Sequence, residues 1–115
     1  PLEKLKNLVR LHFAYVEENR ALPSIIFSQA LHFEDPRLKE GLQRILKGYK
    51  EYVRDLVTDG KIQGSISEDV DEEGAALLLL GLLQSAIIFW TLSDHSYSLV
   101  EQTGSLWESF QRSLI

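Results

Sequence analysis

GAALLLLGLLQSAIIFWTLS, residues 74–93, is the stretch on which the reading of this chain turns. Between Ala75 and Leu92 its clearly polar members are Gln84, Ser85 and Thr91. A helix apolar all round must be hidden from water, in a core, against a second molecule or in a bilayer. The acidic run before it (Glu68, Asp69, Asp71, Glu72, Glu73) and Asp94 after it offer no Lys/Arg cluster of the kind that anchors a span. Its length is at the short limit for crossing a bilayer. A buried helix is therefore expected, with no membrane partner. On its helical wheel, Gly74, Gly81 and Ser85 fall on one side, with Leu79, Leu83, Ala86 and Trp90 nearly opposite. Both sides need covering.

Working outward, helix signals recur along the whole chain, and no run keeps the two-residue alternation of a strand. The fold class is expected to be all-α, with about five helices in a single domain over residues 1–115. From Leu2 to Val16, the residues Leu5, Leu8, Val9, His12, Phe13, Tyr15 and Val16 share one face, and Asn19 and Arg20 interrupt the pattern. Pro23 suits the first turn of a second helix through Phe27 and Leu31. Asp35-Pro36 starts the longest one, whose stripe is Leu38, Leu42, Ile45, Leu46, Tyr49, Tyr52, Val53, Leu56 and Val57. Gly60 is its expected C-cap, and Gly64 marks a turn in the connection that follows. Asp69 or Asp71 caps the apolar helix, and Ser98 with Glu101 has the spacing of a capping box for the last, lined by Leu99, Thr103, Leu106, Trp107, Phe110 and Leu114.

The apolar helix has more perimeter than one small domain covers comfortably. A second copy would bury the remainder as a two-fold four-helix bundle made by the last two long helices of each chain, so a homodimer is expected. Gly81 and Ser85 would permit close approach there, or else accommodate packing within one subunit. Trp90, Trp107 and Phe110 are assigned to the same dimer interface, the alternative being packing inside one subunit.

Composition removes several function classes. With no cysteine there is no disulfide framework, thiolate metal site or cysteine nucleophile, and a cytoplasmic location fits best. A net charge of -5, with twelve Lys and Arg scattered among seventeen acids, argues against direct nucleic-acid binding by these residues. His32, Glu34 and Asp35 straddle a helix end without the i, i+4 spacing of a helical metal site, so no metal is expected. There is no nucleophile–base pattern, phosphate loop or inward carboxylate pair, so no enzyme, catalytic residue or cofactor is expected. His95 is expected in an exposed turn. A chain that begins PLEKLKNLV reads as a piece of something longer.

The segment GKIQGSISEDVDEEGAALLLLGLLQSAIIFWTLSDHSYSLVEQTGSLWESF, residues 60–110, resembles the C-terminal half of TetR-family regulators. The resemblance lies in Gly60, Gly64 and Ile66 as Gly-x-x-x-Gly-x-Ile, the acids before an Ala- and Leu-rich helix, Gly81-Leu82-Leu83-Gln84, the polar turn, and the Leu/Trp-bearing last helix. It implies a transcriptional regulator, more often a repressor, whose domain dimerises and encloses a small-molecule pocket. DNA would be read by an N-terminal helix-turn-helix of which nothing appears here. An effector that prefers one conformation of the domain would change operator affinity without chemistry.

A pocket in such a domain needs apolar walls and a few polar groups aimed inward. His12, Tyr49 and Gln84 are the polar candidates, each interrupting an apolar face. Phe13, Phe27, Leu31, Tyr52, Val53, Leu56, Leu80 and Ile87 are the candidate walls. For all of them, ordinary core packing is the competing reading. The dominance of aliphatic and aromatic groups points to a neutral or weakly polar apolar effector. A helical dimerisation or protein-interaction module that holds no small molecule is the alternative function.

Overall fold

A computed structural model of the chain describes residues 1–21 and 36–115. The expected helix beginning at Pro23, with Phe27 and Leu31, and the His32, Glu34 and Asp35 group lie outside the described residues. Among those described the protein is all-helical, with four α-helices and one 3-10 turn.

Helix α1, Leu2–Glu18, buries Leu5, Val9, Phe13 and Val16, which recur at helical spacing. Asn19 closes it: its backbone N–H donates to the carbonyls of Tyr15 and Val16, and its side-chain amide donates to Tyr15 O at 2.8 Å. Helix α2, Pro36–Gln63, runs past the expected stop at Gly60. The physical stop is Gly64, at φ 82°, a left-handed conformation that suits glycine. Gly64 N–H donates to Lys61 O at 3.2 Å and Ser65 N–H to Gly60 O at 2.9 Å, the paired bonds of a Schellman cap. Gly60 has another task. A Cβ there would run into the Ile66 side chain, which folds back over it and is buried.

Helix α3, Glu72–Leu92, is capped by Asp71, whose Oδ2 accepts from Gly74 N–H at 3.0 Å. Of the two expected caps, Asp71 is the one used. Helix α4, Thr103–Arg112, follows the 3-10 turn Val100–Gln102 and spans ten residues, so the last helix is not long as expected. The Ser98 hydroxyl accepts from Glu101 N–H at 3.3 Å, giving one half of the predicted capping box.

α1 touches α2, α3, the 3-10 turn and α4, and the most extensive packing is between α2 and α3. The core joins Leu5, Val9 and Phe13 of α1, Val53 and Val57 of α2, and Leu79, Leu83 and Trp90 of α3 with Leu99, Trp107 and Leu114. Trp90, Trp107 and Phe110, expected at a dimer interface, are instead enclosed within the single chain at 0%, 5% and 6% exposure. The reason is local. Trp90 Nε1 donates to Tyr97 O at 2.9 Å, and Trp107 packs on Phe110 with ring centroids 5.9 Å apart. His95, expected to be exposed, is half-buried with its ring 4.3 Å from that of Trp90. Asp94 and His95 both take left-handed backbone conformations, φ 58° and 59°, to turn the chain around the indole.

The described residues form a thin body, 43 × 33 × 17 Å, about two helix layers deep. α3 is covered on one side by this arrangement. Its buried residues are Ala75, Ala76, Leu79, Leu83, Ile87 and Trp90. The opposite face exposes Leu77, Leu78, Phe89 and Leu92 at 64%, 63%, 69% and 74%, together with Gly81, Gln84 and Ser85. α3 is long and apolar enough to cross a membrane by length and composition, but one face of it is built into the protein core.

Candidate functional site

Two helical faces meet where α1 crosses α2, and each brings one polar side chain to the contact. Tyr49 hydroxyl and His12 Nδ1 lie 3.1 Å apart, with the rings edge to face at a centroid distance of 5.5 Å. Both are half-buried. Burial lowers the His12 pKa from its usual value, so the imidazole is neutral near pH 7. Burial, with Tyr52 nearby, pushes the Tyr49 hydroxyl up to about 12, so it keeps its proton. The pair is a neutral polar spot in an apolar wall, able to orient an uncharged polar atom but not to offset a full charge.

The sequence-selected wall residues are placed as follows. Phe13, Val53, Leu56 and Ile87 are buried in the common core, to which Tyr49 also packs. Leu80 is half-buried, and Tyr52 stands 49% exposed beside Tyr49 on α2. Gln84 is not brought to the site. It lies on the outward face of α3 with Gly81 and Ser85, because the inward positions go to Leu83 and Ile87. Leu11, Tyr15, Ile45 and Leu46 are further exposed apolar groups on α1 and the first half of α2. They were not singled out as pocket residues, although Ile45 and Leu46 belong to the same stripe as Tyr49.

Clefts lined wholly by described residues lie elsewhere. One of about 330 Å³ is bounded by Asp69, Asp71, Gly74, Leu78, Ser113 and Leu114. Another of about 200 Å³ is lined by Lys47, Lys50, Glu51, Arg54 and Glu73. Neither includes His12 or Tyr49; the first also has Val70, Ala75 and Ile115 in its lining and is mainly apolar, whereas the second is walled by charged side chains.

Ion pairs tie α2 to the start of α3. Glu73 meets Lys50 at 3.1 Å and Arg54 at 3.2 Å, and Glu72 meets Lys61 at 3.0 Å. The bonds from Lys50 and then Arg54 lower the Glu73 pKa, and that from Lys61 lowers the Glu72 pKa. Lys61 also donates to Val70 O at 2.7 Å. A further link was invisible locally: Glu17 Oε1 accepts from Leu99 N–H at 2.9 Å, 82 positions away, and joins the end of α1 to the turn before α4.

An all-helical core that leaves an apolar helix face outward is the architecture that the sequence resemblance to TetR-type regulators implied. Residues 1–111 match the family described as YsiA-like protein, C-terminal region, and the chain belongs to that family. It is 27% identical over 106 residues to a fatty acid metabolism regulator protein of Bacillus subtilis, covering 92% of this chain and 54% of the relative. It is 26% identical over 106 residues to the nucleoid occlusion factor SlmA of Vibrio atlanticus, again covering 92% and 54%. The chain thus spans about half the length of these relatives.

Solved structures give the same answer. The fold matches the transcriptional regulator FadR from Bacillus subtilis, crystallised with stearoyl-CoA, at a TM-score of 0.85 and 25% identity over 99% of this chain and 61% of that one. It matches the fatty acid degradation regulator FadR from Bacillus halodurans at a TM-score of 0.83 and 25% identity, over 96% of this chain and 56% of that one. The matched relatives include transcriptional regulators.

Proposed function

We propose that this chain is the effector-sensing and dimerising part of a TetR-type transcriptional regulator, and that its effector is a long-chain acyl compound held against α1 and α2. The observation that carries the reading is the His12–Tyr49 pair, a neutral polar contact in a wall of aliphatic and aromatic side chains. Similarity to a regulator crystallised with stearoyl-CoA supports the acyl class. The net charge of -5 supports assigning operator binding to another segment of the complete protein. Occupation of the site would favour one arrangement of α1 against α2 and so alter the spacing of two DNA-reading heads across a homodimer.

The dimer surface in this reading is the outward face of α3: Leu77, Leu78, Gly81, Ser85, Ile88, Phe89 and Leu92. Gly81 and Ser85 keep the role given to them from sequence, while the large apolar groups replace Trp90, Trp107 and Phe110. Contiguous exposed apolar side chains on a long helix support association with a second copy.

The test is operator release by the complete protein. Fluorescence anisotropy on labelled operator DNA should fall on titration with stearoyl-CoA and not with free CoA. An unchanged DNA affinity at saturating stearoyl-CoA would remove the sensor reading. The dimerisation module without a small molecule would then stand, a reading favoured by the equal likeness to nucleoid occlusion factors.

A further inference from the structure

We infer that His12 offers the effector one neutral donor, its Nε2–H, aimed at a carbonyl oxygen, and that Tyr49 fixes this tautomer by donating its hydroxyl proton to Nδ1. The inference rests on the acyl-effector reading above and adds the group by which the site distinguishes a thioester from a chain that lacks the carbonyl.

The 3.1 Å contact uses Nδ1, so the second ring nitrogen, Nε2, is the one left to meet an effector. A neutral imidazole carries one proton, on one nitrogen or the other, and the hydrogen bond at the first decides the second. A phenol is a good donor and a poor acceptor, whereas an imidazole lone pair is a strong acceptor, so the stronger arrangement is O–H to Nδ1. Nε2 then carries the hydrogen. The neighbours three and four positions from His12 and Tyr49 are apolar or aromatic, from Leu8 to Val16 on α1 and from Ile45 to Val53 on α2, and none of them is charged.

Such surroundings suit a carbonyl, which needs one donor. A carboxylate would lose its hydration there for a single neutral hydrogen bond. The selectivity follows: an acyl thioester should bind more tightly than either the free acid or the carbonyl-free thioether.

Two measurements on the complete protein test this. Imidazole 15N shifts of His12 report the tautomer directly and should show Nε2 protonated and Nδ1 unprotonated, with the bias reduced in Tyr49→Phe. Calorimetry should then show stearoyl-CoA binding about tenfold more tightly than S-octadecyl-CoA, which keeps chain and headgroup but lacks the carbonyl. That ratio should collapse in His12→Phe. If the variant does not fold, the two probes on the wild-type protein and the tautomer measurement still decide. A proton on Nδ1, or equal affinity for the two probes, overturns the inference and leaves the acyl-effector reading standing. Binding of neither probe overturns both.

Discussion

His12 and Tyr49 are 37 positions apart in the chain, and each was legible as the polar member of an apolar helical stripe. That they meet was not, because nothing local records which two stripes face each other. Gln84 shows the opposite outcome. On a helix apolar all round, periodicity carries no contrast, so a single polar residue cannot be assigned to the inside or the outside. Trp90 was misplaced for the same reason. The consequences at this scale can be measured. Trp90→Ala removes a fully buried indole and its bond to Tyr97, and should destabilise the fold by about 3–5 kcal/mol in urea unfolding.

Acid should act on the same scale through groups with depressed native pKa values. The unfolded state takes a proton on His12 before the folded state does, so stability is full above the unfolded value of 6.5 and falls as pH drops through the folded value. Glu72 and Glu73 add a further loss below their usual 4.5, when their pairs with Lys61, Lys50 and Arg54 are protonated apart. Urea midpoints of the wild type should decline between pH 7 and pH 5 more steeply than those of His12→Gln. Parallel profiles would mean that His12 is not held neutral.

At the scale of elements, the start of α3 and the end of α2 are set by residues whose chemistry is local and therefore readable. Asp71 accepts from the first turn of α3, and Asp71→Ala should cost about 1 kcal/mol. Gly60 was legible as a cap and Gly64 as a turn, yet the cap is Gly64 and Gly60 lies inside the helix. Gly64 has the left-handed φ and ends the helix, whereas Gly60 is helical and leaves room for Ile66, a tertiary requirement that spacing cannot reveal. Gly60→Ala should therefore lower stability by about 1–3 kcal/mol through overpacking, although alanine is the better helix former. Gly64→Ala should cost about 1 kcal/mol through its backbone conformation alone. Both are checked by thermal or urea unfolding, and a stabilised Gly60→Ala would contradict the packing described.

At the scale of the molecule, the all-helical fold was legible because nearly every segment carries helical periodicity and helix-end chemistry, while the division of α3 between core and surface needed three dimensions. The described residues cover Leu79, Leu83, Ile87 and Trp90 and leave Leu77, Leu78, Phe89 and Leu92 exposed. In the proposed reading, a regulator of a two-fold operator needs two heads, and this uncovered face is where a second copy would dock. Sedimentation equilibrium across a dilution series, on the wild type and on Phe89→Glu, tests that requirement most directly. Wild-type chains should hold the mass of a dimer down to low concentration, and a glutamate on the outward face should shift the variant to monomer without loss of helix content. A wild type that is monomeric throughout, or a variant as dimeric as the wild type, would contradict the account.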